Sequence, residues 1–160
     1  MRTIVGSIEA EYRRYKKYAE GAMRQLNDDQ LAEAPADSNS VATIVWHIAG
    51  NLKSRFTDFL TSDGEKPWRD RESEFLQRRV THAEMLARWE SGWQTLFDAL
   101  RDLDDGQLAR DVTIRGVPLS VLEALHRSLA HTAFHVGQIV FLAKSLRGTQ
   151  WEFLTIPPKV

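Results

Sequence analysis

Four stretches of this 160-residue chain space apolar residues three or four positions apart, and nothing of comparable length shows the period of two that a sheet needs. The first runs from about Thr3 to Leu26 on Ile4, Ile8, Tyr12, Tyr15, Ala19, Ala22 and Leu26, and is broken by the turn formers and proline of NDDQLAEAPADSNS. The second opens after Ser40, an N-cap residue, and runs to about Leu60 on Val41, Ile44, Val45, Ile48, Leu52 and Phe59. The third opens where Thr81 and Glu84 stand at capping-box spacing and continues through Leu86, Trp89, Trp93, Leu96, Leu100 and Leu103. The fourth starts near Ser120, with Glu123 in the box position, and ends before Gly148. Between the last two, DVTIRGVPLS reads as a short extended hairpin with Arg115 and Gly116 at its tip. The expected fold is all-α: a four-helix bundle with one short hairpin between helices three and four, in a single domain over residues 1–160.

Several function classes are disfavoured. A net charge of -1 leaves no basic face for nucleic acid and no acidic tail for a basic partner. No apolar run approaches a membrane span, and MRTIVGSIEAEYRRY lacks the apolar core of a signal peptide, so a cytoplasmic protein is expected. The chain contains no cysteine and has no thiolate nucleophile of its own. The polar connection TSDGEKPWRDRESEF, residues 61–75, is long for a bundle loop; it either covers a site or forms a dimer contact.

The chemistry-bearing residues concentrate in LAHTAFHVGQIV, residues 129–140. Positions i, i+4 and i+7 stack on one helix face, so His131, His135 and Gln138 form a stripe that Arg127 and Ser128 extend upstream. Leu125, Leu129, Phe134, Val136, Ile139 and Val140 surround it, which predicts a largely buried helix. A buried imidazole without a partner costs about 1–3 kcal/mol, so the pair needs a reason to be there. Two histidines one turn apart can share a metal ion, but a third ligand is normally needed, and such pairs are also common as purely structural groups. His47, on the flank of the second helix's apolar face, is the histidine placed to complete a three-histidine site, near a bundle mouth. His126 lies opposite the stripe and His82 falls in a helix's first turn. Gln138 and Asn51 are each either an orienting group or an ordinary amide, and Arg127 either binds an anion or is simply exposed. Trp46, Trp89 and Trp93 are read as core. No Asp or Glu is placed as a ligand or general base; Asp58 shares the flank with His47 but lies three turns away.

The helix-two histidine together with HTAFHVGQ resembles the DinB/YfiT-like superfamily of metalloenzymes, whose pattern is one such histidine and H-x-x-x-H followed by x-G-Q. His47, His131, His135, Gly137 and Gln138 match it, and the run from Ser38 to Phe75 is similar to a branch described as a domain of unknown function. The resemblance implies an up-down-down-up bundle, often a homodimer, with a divalent ion on the three histidines: zinc first, then nickel or iron. It also implies a small-molecule substrate and, in some relatives, a low-molecular-weight thiol. On that reading the site activates a thiol or water for transfer to, or hydrolysis of, a small electrophile, with Asn51 and Gln138 orienting the nucleophile and Arg127 steering an anionic group. The alternative is a non-catalytic metal-binding or stress-response module whose triad is structural or vestigial.

Overall fold

Side-chain caps set where the helices begin. A computed structural model describes residues 3–157. Thr3 accepts a hydrogen bond from the Gly6 N–H and opens α1 (Ile4–Met23). A reciprocal capping box of Asn27 and Gln30 opens the short α2 (Asp28–Ala32). Ser40 caps α3 (Val41–Phe56), and Asp70 caps the single turn α4 (Arg71–Glu74). Thr81 with Glu84 opens α5 (His82–Arg101). After a 3-10 turn at Asp105–Gln107 come β1 (Asp111–Ile114) and β2 (Val117–Ser120), antiparallel with Ile114 opposite Val117. Ser120 with Glu123 then opens α6 (Val121–Arg147). The described residues are thus mostly helical, with four long helices and one two-stranded hairpin. Arg115 and Gly116 both have positive φ, 55° and 72°, the backbone a two-residue hairpin turn requires.

Helix α3 packs most extensively on α5 and α1 on α6, and contacts between α3 and α6 join the two pairs. Tyr12, Trp89 and Trp93 are fully buried, with Trp93 edge-on to Tyr12 at 6.1 Å and 5.2 Å from Trp89. Such aromatic pairs add about 0.5–1.5 kcal/mol to simple burial. The Tyr12 hydroxyl donates to the Leu125 carbonyl at 3.2 Å, tying α1 to α6. At the α3–α5 crossing, a Cβ on Gly92 would stand 2.7 Å from the Cα of Ala49, so glycine lets these backbones approach.

Three sequence expectations need correction. The first helix stops at Met23 because the Gln25 and Leu26 amides bond Ala22 and Met23 in tight turns before the Asn27 cap; Leu26 is still buried. The second stops at Phe56 and not near Leu60. Thr57 turns extended, its hydroxyl caps the Lys53 carbonyl at 2.7 Å, and Asp58 takes φ 48°. That turn sends the chain back so that the buried Ser54 hydroxyl donates to the Gly64 carbonyl at 2.8 Å and accepts from the Lys66 amide at 3.2 Å. Finally, α6 is not buried all round: Phe134 is 65% exposed, because the histidine stripe and the core together occupy only part of its circumference. Among the described residues no helix is long and apolar enough to cross a membrane.

The connection is tied to the hairpin by several hydrogen bonds. Asp63 accepts from the Arg115 and Gly116 amides at 2.9 and 2.8 Å, and the Gly64 amide donates to the Thr113 carbonyl at 2.8 Å. Hydrogen bonds to Asp63, that from Gly116 foremost, hold its carboxyl well below the usual range. Hairpin and connection therefore form one hydrogen-bonded wall.

Candidate metal centre

Two polar stripes, one on α3 and one on α6, meet at one cavity. His47, Asn51 and Arg55 follow each other at four-residue intervals on α3, and Arg127, His131 and His135 do so on α6; all six line the same space of about 690 Å³. Four residues advance a helix about 6 Å with only a 40° turn, so each stripe presents its groups in line. His47 is 5% exposed, deeper than a flank position at a bundle mouth implies, because α3 is covered on nearly every side. His131 and His135 are half-buried at the cavity wall.

The three imidazoles converge. One ring nitrogen from each lies within 4.8 Å of the other two, and the ring centroids are 4.5–5.1 Å apart. The Nε2 atoms of His47 and His131 are 3.1 Å apart. Metal–nitrogen bonds of about 2.0–2.1 Å place neighbouring ligand nitrogens about 2.9–3.4 Å apart, from octahedral to tetrahedral angles, so this pair already has the spacing of a shared ion.

The outer nitrogens carry partners. His47 Nδ1 lies 2.9 Å from Glu74 Oε2, and His135 Nδ1 lies 2.7 Å from Gln138 Oε1. A carboxylate or amide oxygen at Nδ1 accepts its proton and leaves Nε2 as a bare lone pair, the tautomer a metal ligand needs. Burial, followed by the nearby His135 and His47, pushes His131 down to about 3. Burial also lowers His135, against the opposing hydrogen bond to Gln138. Both are therefore neutral at physiological pH and lose no proton on binding metal. Three nitrogen donors within 4.8 Å of one another, one pair already at coordination spacing and two with their outer nitrogens partnered, fit a divalent transition ion.

The remaining candidates separate. Asn51, 9% exposed, faces the cavity, and its amide has no hydrogen-bond partner among the described residues. Arg127 is exposed, the plainer of its two sequence expectations, and also lines the same cavity, with no ion pair among the described residues. Gln138 is engaged with His135 and does not line the cavity. Asp58 sits beyond the end of α3 and outside the cavity, while His126 is exposed on another face. The apolar part of the cavity lining is Phe56, Phe59, Phe75, Val112 and Ile114.

The profile of a family described as "Protein of unknown function (DUF1572)" matches residues 2–160. The chain belongs to this family. No curated protein matches the sequence. Among solved structures, the DUF1572 chain is similar to the "Crystal structure of the conserved protein of locus from Enterococcus faecalis", with a TM-score of 0.69 and 16% identity over 93% of this chain and 100% of that one. At that identity the likeness is one of fold.

Sequence reasoning missed the most strongly held part of this DUF1572 site, which comes from the 61–75 connection. Glu74 and Arg69 face each other as a bidentate pair at 2.8 and 2.8 Å, each side chain 3% exposed, and Phe75 lies 4.6 Å from the His47 ring. In WRDRESEF these residues look like a solvated charge run. The one local sign was Gly50, a residue that weakens a helix interior by about 1 kcal/mol relative to alanine, placed three residues after His47.

Proposed function

We propose that this chain is a metal-dependent enzyme of DinB/YfiT-like type, a four-helix bundle forming one domain, in which His47, His131 and His135 hold one divalent ion beside a substrate cavity. The observation that carries this reading is the convergence of three imidazole nitrogens within 4.8 Å, two of them with their outer nitrogens already partnered. Zinc is the expected ion, with nickel or iron next, since three imidazoles suit all of these. When bound, the ion supplies Lewis acidity and brings a thiol or water to its nucleophilic form near neutral pH.

The chain's own residues then do the rest. Asn51 offers an unengaged amide to orient the nucleophile, and Gln138 acts one step removed, by fixing the His135 ring. Arg127, one turn from His131 and without an ion pair among the described residues, receives an anionic group of the substrate. The aromatic and aliphatic wall accepts the apolar body and excludes water. With no cysteine in the chain, a thiol would come from a small cosubstrate. Cytoplasmic location and a homodimer are part of the same proposal.

The test incubates zinc- or nickel-loaded protein with low-molecular-weight thiols and a panel of small electrophiles and esters, some anionic, some neutral. Turnover that vanishes in His131→Ala supports the reading. Arg127→Leu is expected to raise KM for anionic substrates about 10–100-fold, as loss of a charged hydrogen bond does, and to leave neutral ones unchanged. Metal binding without turnover across the panel favours the non-catalytic module instead.

A further inference from the structure

We propose that Glu74 is a positioning residue for the metal site, carried to His47 by the 61–75 connection, clamped there by Arg69 and admitted by the missing side chain of Gly50. This rests on the metal reading of the three histidines and adds to it the group that sets the geometry of one ligand.

The geometry argues for positioning and not ligation. Glu74 Oε2 lies 2.9 Å from His47 Nδ1, on the ring edge opposite to the His131 side, where His47 Nε2 stands 3.1 Å from His131 Nε2. Both carboxylate oxygens are engaged, Oε1 by Arg69 Nε and Oε2 by Arg69 Nη2 as well as by His47. The bidentate Arg69 guanidinium pairs the Glu74 carboxylate and leaves Oε2 free to accept from His47 Nδ1 as well. An ionised acceptor at Nδ1 fixes the tautomer, fixes the ring rotation and makes Nε2 a stronger donor to a metal.

The carboxylate sits in the space that a side chain at position 50 would take. A Cβ built on Gly50 would stand 2.1 Å from Glu74 Oε1, 2.7 Å from its Cδ and 3.3 Å from its Cγ. The carboxylate thus occupies the volume of an alanine methyl on α3, and a methyl at position 50 must evict it. The connection that carries Glu74 also supplies Gly64, Arg69, Arg71, Glu72 and Phe75 to the cavity wall. Since His47 bonds the connection on one ring edge and faces the ion on the other, the two events are coupled. By reciprocity, whatever factor Glu74 adds to metal affinity, bound metal adds to docking of the connection.

The competing account is a buried ion pair that merely staples the connection to α3. A staple affects stability and leaves metal affinity alone, which decides the experiment. The affinity of tag-free protein for Zn²⁺ is measured by chelator competition, alongside melting temperature, for wild type, Glu74→Gln and Gly50→Ala. The glutamine keeps the size and an Arg69 bond and loses the charge. The expected result is about 10–100-fold weaker Zn²⁺ binding in both variants, the range for loss of an outer-sphere partner. In the wild type, amide hydrogen exchange over residues 61–75 should slow when Zn²⁺ is added, a readout independent of how well the variants fold. Variants that bind Zn²⁺ as tightly as wild type, or exchange in the connection indifferent to metal, overturn the positioning role while leaving the triad intact. A wild type that binds no Zn²⁺ overturns the metal reading itself.

Discussion

Gly92→Ala changes one hydrogen to a methyl at the α3–α5 crossing, and the structure fixes the sign of its effect. In a helix interior the substitution alone stabilises by about 1 kcal/mol, because alanine loses less backbone entropy on folding. Here the new Cβ would lie 2.7 Å from Ala49 Cα, 3.0 Å from Ala49 O and 3.1 Å from Ala49 Cβ. Two of those atoms are backbone, so no rotamer change relieves the overlap; α3 must move by roughly 1 Å to restore ordinary contact near 3.5–4.0 Å. Overpacking of this kind costs about 1–3 kcal/mol, and rigid neighbours place it in the upper part of that range. The net expectation is destabilisation by about 1–2 kcal/mol, which for a chain of this length lowers the melting temperature by about 2–8 °C. His47 lies two residues before Ala49 on the displaced helix, so Zn²⁺ affinity should fall as well. Paired thermal melts and chelator competition on wild type and variant measure both effects. A variant that melts about 2–4 °C higher than wild type, the result of helix propensity alone, would refute the close approach of α3 and α5.

Gly137→Ala is the same change with the opposite expected sign. Among the described residues, nothing beyond its chain neighbours and its own helix backbone lies within 4 Å of its Cβ position, so it should gain about 0.5–1 kcal/mol, visible as a raised melting temperature. Ser54→Ala removes a fully buried hydroxyl that bonds both Gly64 and Lys66; a loss of about 1–3 kcal/mol and faster hydrogen exchange near residues 64–66 are expected, and unchanged exchange would count against the anchoring described. For metal-free protein, acidification should destabilise in a defined window. His131 has its pKa lowered from 6.5 to about 3 in the fold, so on acidification the unfolded chain binds this proton first. Stability from this group is constant above about pH 6.5 and declines between 6.5 and 3, by at most about 1.4 kcal/mol per pH unit and less after solvent screening of a part-exposed ring. Glu74, held low in the fold, adds loss in the same direction below its ordinary value of 4.5. Urea midpoints at pH 7 and 5 check the sign; a midpoint higher at pH 5 contradicts it.

How far the sequence foretold this arrangement depended on whether the signal was local. Periodicity located the four long helices, and the boxes at Thr81–Glu84 and Ser120–Glu123 located two of their starts, because a cap satisfies backbone amides within its own first turn. The α3 stop at Phe56 was not legible: the apolar period runs on to Phe59, while Thr57 turns extended, Asp58 takes φ 48° and the returning chain is held by Ser54 bonds to Gly64 and Lys66, ten and twelve residues away. The histidine stripe was legible because it repeats on one helix face, and His47 because few histidines remained to pair with it. Glu74 and Arg69 were not, since nothing within their own charged loop marks them for a pair 3% exposed against an imidazole, and Gly50 on α3 signals a close approach without naming what approaches. The exposure of Phe134 escaped for a related reason: apolar content says a helix has a buried face and does not say how wide it is.

The central claim is that His47, His131 and His135 form one metal site, and the direct measurement is isothermal titration of tag-free, chelator-stripped protein with Zn²⁺ and Ni²⁺, with metal content of the recovered protein determined in parallel. One ion per chain, bound by wild type and lost in His47→Ala, His131→Ala and His135→Ala alike, is the predicted result. Absence of stoichiometric binding in wild type, or binding that survives removal of any one of the three imidazoles undiminished, would contradict it.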